Sequence, residues 1–508
     1  MNRNYHKECE SVREYVLPDY MGDVKKILSV NARVVPSGKF IDDRVADFSG
    51  SVVYQVLYSD SEGTLTSVDT SSDWDASLNL ADSKYVDSGA DFRVESVSLR
   101  LLGPRKMVLK SQLAIDASVT YEDSVSVMGD AFESGEEPQL SKREINIERR
   151  TYLSPKSAEY SMEAETLSGS SADDIEIIAT SGSVRIIDAT PSADGVLVKG
   201  EFIITSIVRV DDEPPFAIRK IVPFEELVSA EEIPPTANLN TSVYISSVSS
   251  SVTDADDGAV LSVAVSGELV CSLLENTAQS VVCDAYLVDY ETTEKYGEYK
   301  YTELLFFDSS ECDISCEVGR EESLSVGARE ILKSSCEIKS LVGEFCDGGV
   351  KIRGEAHFCG VACEINEENM TEYYPIKAVH PFEISAVCES FSGDGITLDF
   401  TLAPLDTTAT LTPESIIFTV RVNRSIRVIK DSSVSVLTEC NVKGEKEERC
   451  ASSVVVYYPD SDDTLFSVAK RFRSTGARIA LDNELSEATL SSYNEKDSLL
   501  GIKRLIIK

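Results

Sequence analysis

The sequence predicts a mainly β protein, built from three repeated β-sandwich or barrel-like domains and a small C-terminal β-α-α-β domain. Three observations predict this class: strand-like alternation along most of the chain, a repeat of about 150 residues, and a helical pattern close to the end. With 508 residues the chain is too long for one hydrophobic core, so we expect about three to five domains.

Strand-like segments account for most of the chain. In these segments β-branched residues alternate with polar ones, as in strands with one buried face. Clusters of turn-forming residues, such as the Asp-Ser-Glu-Gly at 60–63, separate the segments. This spacing is typical of sandwiches and partly open barrels. The clearest strand-like segments are 52–60, 196–210, 350–365 and 418–429.

The same order of features occurs three times. Gly50, Gly200 and Gly354, hereafter the repeated glycines, each lie within a strand-like segment that follows another apolar segment. A glycine that recurs in matched strands predicts a bulge or a close approach of two backbones. A polar turn, a second strand, a less regular stretch and a further pair of strands complete each repeat. The less regular stretches are 68–80, 219–230 and 374–386.

These features resemble a known family. The opening segment 14–35, EYVLPDYMGDVKKILSVNARVV, the three repeats and the similar connectors at 129–150 and 283–304 resemble the SPOCS domain, a structural repeat of spore coats in spore-forming Firmicutes. Only the first repeat has the Leu-Pro-Asp-Tyr lead-in. The resemblance covers about residues 14–445. It implies β domains at 14–125, 165–282 and 325–442, joined by connectors at 126–164 and 283–324.

The C-terminal segment contains a clear helical pattern. Leu465, Val468, Ala469 and Phe472 are spaced i, i+3, i+4 and i+7, which places them on one face of a helix. The two residues before Leu465 are polar, and their side-chain oxygens are suited to cap the helix N-terminus.

Short elements surround this helix in the sequence. We expect a strand at 454–458, a second helix at 478–485 anchored by Ile479 and Leu481, and a final strand after Gly501. The predicted order is therefore β-α-α-β.

The segment 452–508 is similar to a LysM domain. The following residues occupy positions of the LysM pattern: Asp463, Thr464, Leu465, Phe466, Val468, Ala469, Phe472, Leu481, Asn483, Gly501, Leu505 and Ile507. The resemblance implies a shallow groove, of the kind that holds glycans containing N-acetylglucosamine. Its residues would be Asp460, Asp462, Asp463, Thr464, Leu465, Phe466, Asn483, Glu484 and Leu485. The chain departs from the family where Asp462 replaces a glycine and Phe466 replaces the common tryptophan.

A basic cluster follows the predicted groove loop. Lys470, Arg471 and Arg473 lie on or just past the first predicted helix. This cluster is either a solvated helix face or a docking face for an acidic partner protein.

The charge balance excludes some partners. The formal net charge is −39, from 48 basic and 87 acidic residues. Because phosphate binding needs clustered Lys and Arg, we expect no binding to nucleic acid or to anionic membrane surfaces. The sequence shows neither a signal-peptide pattern nor a long apolar run, so we expect no transmembrane segment and a cytoplasmic location.

The cysteines and histidines do not form a recognisable site. Eleven of the twelve cysteines fall within 271–450, including the CxxxC pairs 312/316 and 359/363. Structural zinc sites usually show closer CxxC pairs in two matched halves, so we expect neither a metal nor a cofactor. Instead, alternate residues of 357–363 suggest a core stripe. His6, His357 and His380 are isolated from any nucleophile motif, so we expect no catalytic residues and no enzymatic activity.

These features predict a structural adaptor protein that binds without turnover. The three SPOCS-like repeats before a LysM-like module resemble clostridial spore-morphogenesis proteins. That resemblance implies a place in the mother-cell cytoplasm at the developing spore, and a partner in the ATPase of the coat basement layer or another coat morphogenetic protein. The alternative is a peptidoglycan-binding protein whose module stacks Phe466 on N-acetylglucosamine. A third hypothesis is a surface or stress protein that shares only the β repeats.

Overall fold

The structure is a computed structural model that describes residues 2–508 except 43, 81–84, 122–136, 212, 232, 236, 322–326, 369, 390, 392 and 446–453. The chain is mainly β, as predicted, and its strands form small antiparallel sheets. It folds into two compact units. Unit 1 comprises residues 1–122, 149–275 and 304–429, and unit 2 comprises 123–148, 276–303 and 430–508.

Long strands make up most of the described chain. The first six are β1 (Asn2–Val16), β2 (Val24–Asp42), β3 (Val45–Asp60), β4 (Leu65–Asn79), β5 (Tyr85–Gly103) and β6 (Lys106–Tyr121). The next seven are β7 (Gln139–Tyr152), β8 (Lys156–Ser168), β9 (Ile175–Ser192), β10 (Gly195–Val210), β11 (Phe216–Ser229), β12 (Asn238–Ala255) and β13 (Gly258–Tyr286). A further six are β14 (Tyr290–Gly319), β15 (Glu330–Cys346), β16 (Gly349–Ile365), β17 (Thr371–Val387), β18 (Ile396–Leu411) and β19 (Ser415–Glu445).

Unit 1 contains three meanders of consecutive antiparallel strands: β2-β3-β4, β9-β10-β11 and β15-β16-β17. Each meander shares a buried apolar cluster with a second sheet. The second sheets are β1-β6-β5, the sheet of β12 and β13 with β7 and β8, and β14-β19-β18. Alternating strand residues thus form an apolar core shared by each pair of sheets.

The repeated glycines all lie in the middle strand of a meander. In the register of the sheets they stand opposite Trp74, Phe224 and Phe382. A Cβ atom on each glycine would lie only 2.9, 2.5 and 2.8 Å from the respective ring. The neighbouring first strand has a register shift beside each glycine. The predicted bulge and close approach are therefore confirmed at all three positions.

The prediction of less regular stretches was wrong. Each stretch lies in the third strand of a meander, β4, β11 or β17, and is a regular strand. The pattern is obscured by Pro223 and Pro381, which precede the aromatic residues in β11 and β17. Proline is tolerated there because these strands lie at a sheet edge.

The three meanders meet at a second apolar cluster within unit 1. Strand β4 contacts β9, β11 contacts β15, and β17 contacts β2, so that the contacts close a cycle. The cluster, hereafter the hub, consists of Leu28, Leu57, Leu65, Ile178, Ala179, Ile207, Leu332, Val361, Cys363 and Tyr373. The hub therefore links residues from all three meanders.

In unit 2 the ends of β7, β13, β14 and β19 form smaller apolar clusters. The C-terminal segment 454–508, hereafter the terminal module, adds β20 (Val455–Tyr457), α1 (Leu465–Phe472), α2 (Gly476–Asp482), α3 (Glu487–Ser491) and β21 (Leu505–Ile507). A 3₁₀ turn (Lys496–Leu499) precedes β21, which pairs antiparallel with β20.

The sequence missed one helix of the terminal module and misjudged another. The predicted β-α-α-β order lacks α3, which has only five residues and is too short to show an apolar periodicity. Helix α2 begins and ends earlier than predicted. Ile479 is a buried anchor, as expected, but the prediction for Leu481 was wrong because its side chain is 80% exposed.

Candidate functional site

Helix α1 has the predicted buried face. Leu465, Val468 and Ala469 are fully buried, and the half-buried Phe472 packs edge-on against Tyr457 with ring centroids 5.1 Å apart. Thr464 caps the helix by accepting a hydrogen bond from the Ser467 backbone N–H at 3.0 Å. Local sequence thus determines where the helix begins and which face it buries.

Asp463 does not cap α1 but organises the loop before it. Its carboxylate accepts hydrogen bonds from the Tyr457 hydroxyl and from the Asp460 backbone N–H, and Arg471 lies 3.4 Å away. Burial alone would raise the pKa of Asp463, but these partners lower it overall. The loop is therefore held by a buried, charged carboxylate.

Phe466 lies in the interior of unit 2. Its side chain is only 4% exposed, between Tyr286 and Tyr493 at centroid distances of 5.2 and 5.6 Å. Tyr286 ends β13 in the connector, and its hydroxyl donates to the Ser474 carbonyl at 2.8 Å. Burial raises the pKa of the Tyr286 hydroxyl, which keeps it a donor. In this arrangement Phe466 is not open for stacking on a sugar.

An ion pair joins α1 to the same connector. The Lys470 ammonium lies 2.7 and 2.8 Å from the two carboxylate oxygens of Asp284 and 3.8 Å from Glu294. The predicted docking face thus has two cations already engaged within unit 2, because Arg471 pairs with Asp463 as Lys470 does with Asp284. Arg471 contacts Asp463 and Tyr457, and Arg473 ends α1 in a left-handed conformation. Docking of an acidic partner on these three residues stays a prediction.

Asn483 ties α2 to the final strand. Its amide nitrogen donates to the carbonyls of Ile479 and Ile506 at 2.9 and 2.7 Å, and its oxygen accepts from the Ile506 backbone N–H at 2.6 Å. Leu485, two residues on, is partly buried in the core of the terminal module. Asn483 therefore already makes three hydrogen bonds, to two residues inside the protein.

The predicted groove residues thus divide into two groups. Asp463, Thr464, Leu465, Phe466, Asn483 and Leu485 support the fold of unit 2. Asp460, Asp462 and Glu484 are exposed, and all three are acidic. Such a rim is poorly matched to a neutral sugar, because a neutral ligand does not compensate the charge of the carboxylates that it would remove from water.

The structure exposes an apolar stripe that sequence reasoning did not identify. Val454, Val456 and Tyr458 occupy alternate positions along β20 and its flanks and are 62, 50 and 67% exposed. Val456 pairs across the sheet with Ile506. In the part of the chain that the structure describes, β20 pairs only with β21. The consecutive valines before Tyr457 were the available signal, but a run of valines does not show which side is covered.

The cysteines of the CxxxC pairs lie in strands and are free thiols. Val361 and Cys363 of the predicted stripe are buried in the hub, whereas Cys359 is half-buried and His357 bonds Glu355 at 3.2 Å. Burial raises the pKa of Cys363 to about 11, which disfavours the thiolate. Over the described ranges no three metal-ligating side chains converge.

Comparison with known proteins adds no family: no protein-family model, curated protein or solved structure matches this chain. Within the described residues, every helix is too short or too polar to cross a lipid bilayer.

Proposed function

We propose that this chain is a structural adaptor of spore-coat assembly, in which the terminal module docks a coat morphogenetic protein. The observation that carries the docking role is the apolar stripe of Val454, Val456 and Tyr458. Exposed apolar surface on one side of a short strand is typical of sites that bind other proteins. The spore-coat context itself rests on the SPOCS and LysM resemblances.

The proposal includes three repeated SPOCS-like domains and a LysM-like terminal module. The shared meanders, with a glycine facing an aromatic ring in each middle strand, support common ancestry of the three repeats. A hub-linked set of sheets is a suitable scaffold because many contacts resist its deformation.

The partner that we propose is the ATPase of the coat basement layer, met in the mother-cell cytoplasm at the forespore surface. A protein partner fits the apolar stripe better than a glycan does. Peptidoglycan binding through Phe466 has less support because that ring is buried against Tyr286 and Tyr493.

The test compares two fluorescent fusions in the sporulating host: the full chain and a chain that ends at residue 450. We expect the full chain to ring the forespore and the truncated chain to be diffuse. The double variant Val454→Thr/Val456→Thr should also be diffuse, since it removes apolar surface but keeps β-branched side chains. Val387→Thr, at an 89% exposed valine of unit 1, is the matched control and should still form a ring.

A ring formed by the truncated chain would overturn the docking role of the terminal module. Binding of N-acetylglucosamine oligomers to the full chain, measured by calorimetry, would favour the carbohydrate alternative instead.

A further inference from the structure

Unit 1 contains a buried lysine, Lys333, beside the hub. Its side chain lies on β15, and the residue is 7% exposed. The ammonium donates to the Gln55 side-chain oxygen at 2.6 Å. The side-chain amide of Asn31 finds partners for both of its ends in one orientation. In that orientation its nitrogen donates to the Val30 carbonyl, and its oxygen accepts from Lys333 at 3.1 Å. Two of the three ammonium N–H groups therefore bond neutral amides, and the third has no acceptor among the described residues.

The charge on Lys333 has little compensation nearby. In the described part of the chain, no carboxylate lies within ion-pair distance of the ammonium. Asp69 favours the charged form from farther away, but this exposed carboxylate also faces the partly buried Arg33. Burial lowers the pKa of Lys333 to about 8, so the group is still mainly protonated at neutral pH. A buried cation without a bonded anion is costly, and an added anion would offset that cost.

A cavity of about 370 Å³ adjoins this lysine. Lys333 and its partner Asn31 both line it. The remaining lining is rich in hydroxyl groups, which come from β9, β10, β15 and β18. Those of Ser334 and Thr408 already donate to the Thr407 and Thr419 carbonyls, and the others belong to Ser181, Ser183, Thr205, Ser335 and Thr407.

The other charges on the cavity wall neutralise one another. Arg219 and Asp406 both line the cavity and form an ion pair at 2.5 Å. Lys333 therefore supplies the excess positive charge. Hydroxyl groups donate readily to anionic oxygens, and an ammonium donates a charge-assisted hydrogen bond. The volume is many times the roughly 30 Å³ that one water molecule occupies, which leaves room for a polyatomic anion.

We propose that this cavity binds a small inorganic oxyanion, such as phosphate, through Lys333 and the surrounding hydroxyl groups. The site is independent of the terminal module, which belongs to unit 2, so it adds a second binding function to the chain. Because the chain is strongly acidic overall, local hydrogen bonds rather than long-range attraction provide the affinity.

The test is calorimetric titration of the full chain with inorganic phosphate at pH 7. We expect saturable binding with one phosphate per chain. Lys333→Met should weaken it by at least about tenfold, the loss expected for one charge-assisted hydrogen bond. Lys199→Met is the matched control, since Lys199 is an exposed lysine on β10 that pairs with Glu225, and it should bind as the wild type does.

A second variant guards against misfolding of Lys333→Met. Thr205→Val removes one hydroxyl from the cavity wall, keeps the lysine and preserves the shape of the side chain. We expect it to bind phosphate more weakly than the wild type and to unfold at a similar temperature. The proposal is overturned if the wild type shows no saturable binding at millimolar phosphate, or if Lys333→Met and Thr205→Val both bind as the wild type does.

Discussion

Asp463, Phe466 and Asn483 show how one residue can match a binding pattern and yet serve the fold. Each occupies a position of the predicted groove, but each finds its partners inside unit 2. A buried polar group must be hydrogen-bonded, and Asp463 and Asn483 meet that requirement inside the protein, while Phe466 packs against two tyrosine rings. The sequence predicted that these residues lie near one another. It could not show that other protein atoms, rather than a ligand, provide the contacts of their side chains.

Lys333 makes a pH-dependent contribution to stability. Its pKa is about 8 in the folded chain, below the ordinary value of 10.5. Between these values the unfolded chain holds a proton that the folded chain has released, so stability rises with pH. Relative to Lys333→Met, the wild type should gain about 3 kcal/mol in free energy of unfolding between pH 7 and pH 10.

Urea unfolding at the two pH values, in phosphate-free buffer, measures this gain. Other titrating groups cancel in the comparison with Lys333→Met, and the exposed Lys199→Met should show no such difference. A stability difference between wild type and Lys333→Met that is the same at both pH values would contradict the prediction.

At the scale of elements, α1 depends on the end of β13. The helix has eight residues, which is too short for stability in isolation. It is held by the Tyr286 ring on Phe466 and by the ion pair between Lys470 and Asp284. The helical pattern was visible in the sequence, whereas its support 186 residues away along the chain was not.

Tyr286→Ala should therefore destabilise unit 2 by about 3–5 kcal/mol, the usual cost of removing a buried aromatic ring. Tyr286→Phe keeps the ring and removes only the hydroxyl, with its hydrogen bonds to the Ser474 carbonyl and the Tyr493 hydroxyl, so about 1–3 kcal/mol is expected. Hydrogen exchange in α1 provides the measurement. Unchanged protection of 465–472 in Tyr286→Ala would show that the helix does not depend on this contact.

At the scale of the whole molecule, the hub connects the meanders of unit 1. Its members come from segments that lie hundreds of residues apart in the sequence, such as Leu28 and Val361. Because packed interiors transmit strain, loosening one side of the hub should affect all three meanders.

Val361→Ala and Val350→Ala test this coupling within one strand. Both valines are buried in β16, but Val361 belongs to the hub and Val350 to the core shared with β14-β19-β18. Each substitution should cost about 2 kcal/mol. We expect Val361→Ala to speed hydrogen exchange in β3 and β10 as well as β16, and Val350→Ala to spare β3 and β10. If Val361→Ala affects β16 alone, the hub does not couple the meanders.

The sequence by itself determined the mainly β class, the strand-like segments, the positions of the repeated glycines and the buried face of α1. These features depend on residues close together in the chain, since the alternation in strands and the 3.6-residue period of helices report which side is buried. Edge strands were missed where Pro223 and Pro381 interrupt that local pattern.

Only the tertiary structure decided which residues meet across the chain. Lys333 and Gln55 bond although 278 residues separate them, and Tyr286 buries the ring that the pattern assigned to a sugar. Local periodicity shows that a side chain is buried but not what covers it. The hub, the cavity beside Lys333 and the exposed apolar stripe all depend on such covering, because sheet pairing and packing bring together segments that are distant in the sequence.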